Sequence, residues 1–207
     1  ANVIGWFDGD KLASQIAVYP MKVNIHGRIY DMGGITGVAT YPEYTKMGLM
    51  HALVRRVLEE MRENRQTISF LYPYSIPFYR KMGWEIISDK MSYTIKDTQL
   101  PKFVDVPGMV ERVSDNHPDY LELHDRYTRQ RHGMLLRDDL AWEEYWRWDT
   151  DDIVVALYYD QDHVAQGYVV YLLEEDVFKI KELIYLSQEA RHGLWNYVGA
   201  HFSMIEK

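Results

Sequence analysis

The spacing of the apolar residues changes at Gly48, and no other feature of the sequence constrains the fold more. Before Gly48, short apolar runs alternate with turn residues, and Asp-Gly at positions 8 and 9 lies between two such runs, which is a strong hairpin signal. After it, apolar residues from Leu49 to Met61 recur at helical spacing, with charged residues on the opposite face. The order predicts strands followed by an amphipathic helix, in an α/β (α+β) fold.

The same patterns divide the chain into elements. The first half predicts the order β-β-β-α-β-α-β, with strands at 3–7, 14–19, 29–40, 68–72 and 84–95, a helix at 48–64 and a short helix capped by Ser75. The second half predicts α-α-β-β-β-α, with helices at 120–131, 138–149 and 188–205 and strands at 153–159, 164–173 and 178–185. Prolines at 101 and 107 predict a boundary. We therefore expect two related α/β domains, 1–100 and 101–207.

Composition narrows the functional classes. The 207 residues are 47% hydrophobic and 26% charged, as in ordinary globular proteins. The absence of cysteine excludes disulfides, a thiol nucleophile and a Cys-ligated metal, and it agrees with a cytoplasmic location. No apolar run approaches the roughly 18 residues of a membrane span, so we expect no membrane association. The eight histidines form no HExxH motif, and we expect no metal.

The two halves of the chain carry opposite charge. Residues 1–102 hold 13 Lys/Arg and 10 Asp/Glu, whereas residues 103–207 hold 10 and 21. A mildly basic half suits an anionic cofactor, and an acidic half could attract a cationic substrate, although each acidic cluster by itself is best interpreted as a solvated loop. Neither half is basic enough to indicate a nucleic-acid partner.

The loop that joins the third strand to the helix is the strongest candidate for chemistry. It runs from Val38 to Met50, and Gly48 lies at the helix start. Free backbone N–H groups at a helix N-terminus, together with the helix dipole, form an anion site that fits a pyrophosphate. Lys46, His51 and two arginines further along the polar face could reach other phosphates. Taken alone, one glycine at a helix start also fits a simple cap.

Three motifs extend this signal. They are Gly33-Gly34-Ile35-Thr36-Gly37-Val38-Ala39-Thr40-Tyr41-Pro42, Lys46-Met47-Gly48-Leu49-Met50 and Pro77-Phe78-Tyr79-Arg80-Lys81-Met82-Gly83-Trp84. With them, residues 3–96 resemble the GCN5-related N-acetyltransferase (GNAT) superfamily, and most closely its enhanced-intracellular-survival (Eis-type) branch, which joins two GNAT-like domains to a C-terminal domain. The resemblance implies two tandem GNAT-like domains, each a mixed, mostly antiparallel sheet flanked by helices. It also implies transfer of an acetyl group from acetyl-CoA directly to a primary amine.

The resemblance also implies roles for individual residues. The backbone of Val38, Ala39 and Thr40 would run beside the pantetheine arm of CoA. The pyrophosphate would be held by Lys46, Met47, Gly48, Leu49, Met50 and His51. Tyr74 and Ser75 would contact the cofactor near the thioester, and Tyr79 would be the general acid toward the departing thiolate. A phenol with a pKa of about 10 suits that transfer, because a thiol has a pKa of about 8.5.

Two positions depart from the signature of the family. Thr45 stands where the signature has Gln or Arg, and Met50 stands where it has Gly or Ala. Backbone N–H groups need no particular side chain, so the departures are expected to alter the affinity for the cofactor more than its identity. The general base is not singled out. Glu43 and Glu85 are candidates, while in the Eis-type branch the role is attributed to the carboxylate at the end of the C-terminal domain.

Several segments of the family fold are expected to lie outside this sequence. They are the first strand and helices of the first domain, the closing strands of the second, and the C-terminal domain. The resemblance further implies a small cationic acceptor, aminoglycoside-like or polyamine-like, and a homo-oligomer for the full-length form.

Two other functions stay open. Thr45 and Met50 agree with a non-catalytic acyl-CoA-binding or assembly module of GNAT fold. A tandem-GNAT aminoacyl transferase acting on cell-wall precursors would use aminoacyl-tRNA, and the lack of a basic stripe argues against it. The aromatic residues between Trp142 and Trp148 recur at helical spacing, which indicates a packing face more than a surface that stacks on sugars.

Overall fold

The computed structural model describes residues 2–149 and 152–203. The strands are β1 (Asn2–Asp8), β2 (Lys11–Ile25), β3 (Arg28–Thr40), β4 (Ile68–Leu71), β5 (Met109–Val113), β6 (Leu135–Leu136), β7 (Val154–Tyr159), β8 (Ala165–Glu174) and β9 (Val177–Tyr185). The helices are α1 (Leu49–Glu63), α2 (Ile76–Arg80), α3 (Pro118–Arg129), α4 (Asp139–Trp146) and α5 (Gln188–Gly199). The mixed α/β class predicted from the sequence is confirmed.

The chain divides into two compact units. The first comprises Ala1–Lys90 and Arg131–Ala141, and the second comprises Met91–Gln130 and Trp142–Lys207. The predicted boundary at residues 100 and 101 therefore differs from the structural one, and a later segment returns to the first unit. Strand pairing explains the return, because β6 pairs antiparallel with Lys22 and Val23 of β2.

The first unit is built on a sheet in the order β1-β2-β3-β4, with β6 also paired to β2. The pairs β1–β2 and β2–β3 are antiparallel, and β3–β4 is parallel. Helix α1 packs its apolar stripe on β2 and β3, burying Leu53, Val54 and Val57. The helix approaches closely at Gly33, where an added Cβ would lie 2.5 Å from the Met61 side chain. Glycine in β3 therefore allows the helix to lie against the strand.

The second unit is an antiparallel sheet in the order β5-β7-β8-β9. Successive residues of β7 point to opposite faces, as in any strand. Val155 and Leu157 pack with α3 on one face, while Ala156 and Tyr158 pack with α5 on the other. Both faces of this sheet are therefore covered by a helix.

The predicted strand at 84–95 is absent from the structure. No strand is assigned to these residues, and the side chains of Ile87 and Tyr93 are 69% and 78% exposed. Alternating apolar residues favour a strand only when a neighbouring strand accepts its hydrogen bonds.

Other differences concern the second half. The sequence pattern does not predict β5, because its five residues are mostly exposed and carry little alternation. The last helix is shorter than its predicted span of 188–205, since α5 ends at Gly199. The last two residues of that span lie outside the described residues. Trp142 and Trp146 of α4 agree with the packing interpretation, because they lie against Tyr120, with ring centroids 5.2 and 6.3 Å away. Trp148 does not, because it lies beyond the end of α4 and is 88% exposed.

Candidate active site

Among the described residues, the end of β3 has no strand neighbour on one side. Strand β4 pairs with β3 only from Met32 to Ile35. Val38, Ala39 and Thr40 lie beyond the last of these pairs, while β2 continues to pair with β3 up to Thr40. Peptide groups on such an open edge can form hydrogen bonds with an extended ligand, as an added strand would.

The loop after β3 is anchored to the hairpin between β1 and β2. It begins with a single 3₁₀ turn at Pro42–Tyr44. The Tyr44 hydroxyl donates to Asp8 Oδ2 at 3.0 Å, and Lys11 Nζ lies 2.7 Å from Glu43 Oε1. The sequence does not predict these supporting contacts, because the partners are more than 30 positions apart.

Gly48 is the N-cap residue of α1, one position before the first helical residue, Leu49. Gly48 has φ +79° and ψ 3°, a left-handed conformation that glycine adopts without strain, and no side chain caps the helix from this position. The amides of Leu49, Met50 and His51 form the first turn, and the first helical bond runs from Ala52 N to Gly48 O at 3.2 Å. Free N–H groups and the helix dipole make this turn suited to an anion.

The residues around Gly48 leave this turn open. An added Cβ on Gly48 would meet nothing within 4 Å. Met47 is 64% exposed, and Lys46 is exposed with a left-handed φ of +63°. The Thr45 hydroxyl donates to Pro42 O at 2.8 Å, so this side chain stabilises the loop. A ligand can therefore approach the helix start from solvent.

Helix α2 lies beside the first turn of α1. The ring of His51 contacts Phe78 edge-on at 5.7 Å between centroids, and Phe78 contacts Tyr79 at 5.1 Å. Tyr74 packs edge-on against Tyr79 at 6.1 Å, and Ser75 occupies the N-cap position of α2, without a side-chain cap bond. Among the residues predicted at the helix start, His51 is thus joined through Phe78 to Tyr79 and Tyr74 by ring contacts.

Tyr79 combines a buried ring with an unengaged hydroxyl. The side chain is 5% exposed, and its hydroxyl forms no hydrogen bond with any residue in the described part of the chain. Burial, followed by the effect of Tyr74, raises the pKa of Tyr79 above its ordinary value of 10.0. The phenol is therefore protonated at neutral pH and can donate its proton.

Both carboxylates proposed as general bases are held by cations. Arg80 binds Glu85 through two bonds of 2.7 and 2.9 Å, and Lys11 binds Glu43. The hydrogen bond from the cation lowers the pKa of each carboxyl group. A carboxylate with a lowered pKa is a weaker base, so the contacts disfavour both candidates.

Within residues 2–149 and 152–203, no group of three or more His, Cys, Asp or Glu side chains could hold a metal ion. In the same part of the chain, no helix has the length and apolarity that crossing a membrane requires.

Two family models match the chain, both described as acetyltransferase (GNAT) domains. One matches residues 1–87 and the other residues 133–207. An uncharacterized N-acetyltransferase of Streptomyces avermitilis is 21% identical over 96% of this chain and 53% of its own length. The chain thus spans about half the length of the curated relative that it matches.

Solved structures share the fold across the whole chain. A protein of Enterococcus faecalis described as a probable N-acyltransferase is 30% identical with a TM-score of 0.86, over 99% of this chain and 53% of its own. A GCN5-related N-acetyltransferase of Anabaena variabilis is 27% identical with a TM-score of 0.85, over 99% of this chain and 54% of its own. Eis1 of Mycobacterium abscessus, 17% identical with a TM-score of 0.79 over 100% of this chain and 55% of its own, has the same fold. The chain belongs to the GNAT acetyltransferase superfamily and carries two GNAT-type domains in tandem.

Proposed function

We propose that this protein is an N-acetyltransferase that moves an acetyl group from acetyl-CoA directly to a primary amine of a small cationic acceptor. The observation that carries the proposal is the presence of three features within the first unit: the open end of β3, the uncapped start of α1 and the unengaged hydroxyl of Tyr79. They match in type the three parts of acetyl-CoA that an enzyme must handle, namely an amide-containing arm, a pyrophosphate and a thioester.

In this proposal each part of acetyl-CoA is bound by different residues. The backbone of Val38, Ala39 and Thr40 binds the arm, and the amides of residues 48–51, with Lys46 and His51, hold the pyrophosphate. Tyr74 and Ser75 lie near the thioester. In this proposal the thioester carbonyl carbon is presented to the amine, and Tyr79 acts near the sulfur.

The transfer needs no covalent intermediate on the protein. The amine nitrogen forms a bond to the carbonyl carbon of the acetyl group, and the bond between that carbon and sulfur breaks. Tyr79 gives its hydroxyl proton to the departing sulfur and regains a proton from solvent. The amine loses its own proton to solvent or to a base outside the pairs formed by Glu43 and Glu85.

The proposed acceptor class rests on charge. Residues 103–207 carry 10 basic and 21 acidic side chains, an excess that favours polyamine-like or aminoglycoside-like amines over neutral or anionic ones.

The test is acetylation of an amine panel by the purified protein, with acetyl-CoA binding measured by calorimetry. We expect wild type to acetylate a polyamine or aminoglycoside. Tyr79→Phe should lower kcat by about 10²-fold or more while leaving the Kd of acetyl-CoA within about twofold, because only the proton donor is lost. Binding of acetyl-CoA without acetylation of any amine would instead support a non-catalytic acyl-CoA-binding module. The ion pairs of Glu43 and Glu85 agree with that alternative, because they make both carboxylates weaker bases.

A further inference from the structure

Strand β2 shapes the open end of β3 through two side chains. Residues 37 and 38 of β3 oppose a single residue of β2, Ile16, because the register shifts between Gln15 and Ala17. This is a β-bulge, and Gly37 within it has φ +56°. A bulge interrupts the regular ladder of backbone hydrogen bonds, so the strand end needs other bonds to keep one conformation.

The side chains of Ser14 and Gln15 supply such bonds. Ser14, 1% exposed, donates from Oγ to Ala39 O at 3.1 Å, and Gln15 donates from Nε2 to Gly37 O at 3.3 Å. The Ser14 hydroxyl also lies 2.7 Å from Thr40 Oγ1. Since a hydroxyl has one hydrogen and Ser14 uses it on Ala39, Thr40 is the donor in this pair.

These bonds fix which peptide groups face outward. Tyr41 N donates to Ala13 O at 3.0 Å, so residues 41 and 39 direct their backbone groups toward β2. Backbone groups alternate along a strand, and those of Val38 and Thr40 consequently face the opposite edge. On that edge β4 has already ended, since its last pair joins Leu71 to Ile35.

We propose that Ser14 and Gln15 are positioning residues for cofactor binding: they hold the bulged end of β3 so that the N–H and C=O groups of Val38 stay aimed at the open edge, where the amides of the pantetheine arm bind. The inference rests on the proposed function. Neither residue touches the ligand, and each acts through a carbonyl of β3. Their loss weakens binding of the arm and leaves binding of the pyrophosphate end unchanged.

The test compares two ligands by calorimetry, CoA itself and its 3′-phosphorylated ADP portion, which lacks the arm. We expect Ser14→Ala and Gln15→Leu each to weaken CoA by about threefold to tenfold, the range of one net hydrogen bond, while the ADP portion binds within about twofold of wild type. Ser69→Ala is the matched control, because Ser69 donates to Gly33 O at 2.9 Å in the part of β3 that β4 covers. It should change the affinity for neither ligand.

The outcomes separate the two proposals. If wild type binds neither ligand, the proposed function fails. If wild type binds both, the positioning role is overturned when the two variants leave CoA affinity unchanged or weaken both ligands equally, since equal weakening indicates a general loss of structure. Gln15 is only half-buried, so Gln15→Leu keeps the test valid should Ser14→Ala fail to fold.

Discussion

Two exposed carboxylates, Glu43 and Glu85, form ion pairs with basic side chains, and these pairs weaken them as general bases. Glu43 and Glu85 each accept a hydrogen bond from a basic side chain, which lowers the pKa of the carboxyl group. We expect Glu43→Gln and Glu85→Gln to retain kcat within about tenfold, against the 10²-fold to 10⁴-fold of a lost general base. Initial rates with saturating acetyl-CoA measure this, with Tyr79→Phe as the contrasting variant. A loss of about 10³-fold in either glutamine variant would identify that carboxylate as the base.

Residues of the candidate site could be selected from the sequence because they lie in short continuous motifs. Gly48 and Tyr79 stand where the motifs place them, and the structure gives each a fitting environment, a left-handed backbone and a buried ring. The ion pairs of Glu43 and Glu85 could not be predicted from such motifs. An ion pair depends on side-chain directions that no local spacing fixes.

At the scale of elements, the start of α1 depends on the conformation of one residue. Gly48→Ala introduces a Cβ at φ +79°, where the surrounding space is open, so the expected loss of unfolding free energy is about 1 kcal/mol, all of it backbone strain. We also expect weaker CoA binding, because the backbone at residue 48 would relax to relieve the strain. This relaxation would rotate the N–H groups of the first helical turn away from the pyrophosphate. Denaturant unfolding and calorimetry measure the two effects.

Gly27→Ala is the matched control for this prediction. Gly27 has φ +82° and equally open space, but it lies in the hairpin between β2 and β3, at the end of β3 away from Thr40. It should lose similar stability with unchanged CoA affinity. Equal loss of CoA binding in both variants would mean that overall stability, and not the helix start, controls affinity.

The elements also show where local pattern fails. Helix α1 was predicted within one residue at each end, because Gly48 and Asn64 mark its ends and an amphipathic stripe fills it. The strand predicted at 84–95 does not form, since alternation cannot specify a partner strand. Helices satisfy their backbone bonds internally, whereas strands depend on distant residues.

At the scale of the whole molecule, buried phenols set the response to alkali. Burial and a hydrogen bond with Glu189 raise the pKa of Tyr158 to about 12. Burial is also the main cause of the raised pKa values of Tyr159 and Tyr171. Because these values are raised in the folded state, their stabilising contribution is complete below pH about 10, the unfolded value, and is lost as pH rises toward 12.

We therefore expect the melting temperature to be insensitive to these groups from pH 7 to 9 and to fall steeply above pH 10. Circular dichroism measures melting, and absorbance near 295 nm follows tyrosinate formation. Tyr158→Phe should reduce the slope of stability against pH above 10, whatever it does to stability at neutral pH. Ionisation of all 17 tyrosines at pH 10.5 with the fold intact would contradict the prediction.

The sequence by itself determined what depends on neighbours in the chain. Apolar periodicity defined α1 and the hairpins, glycine at 48 marked the helix start, and three motifs indicated the superfamily that the family models confirm. Tertiary structure alone decided that β3 extends beyond the end of β4 and that β6 joins the first sheet. It also decided that Ser14 and Gln15 form hydrogen bonds with the bulged end of β3. The physical reason is that strand pairing, ion pairs and ring contacts join residues far apart in sequence, and only the folded chain brings those residues within bonding distance.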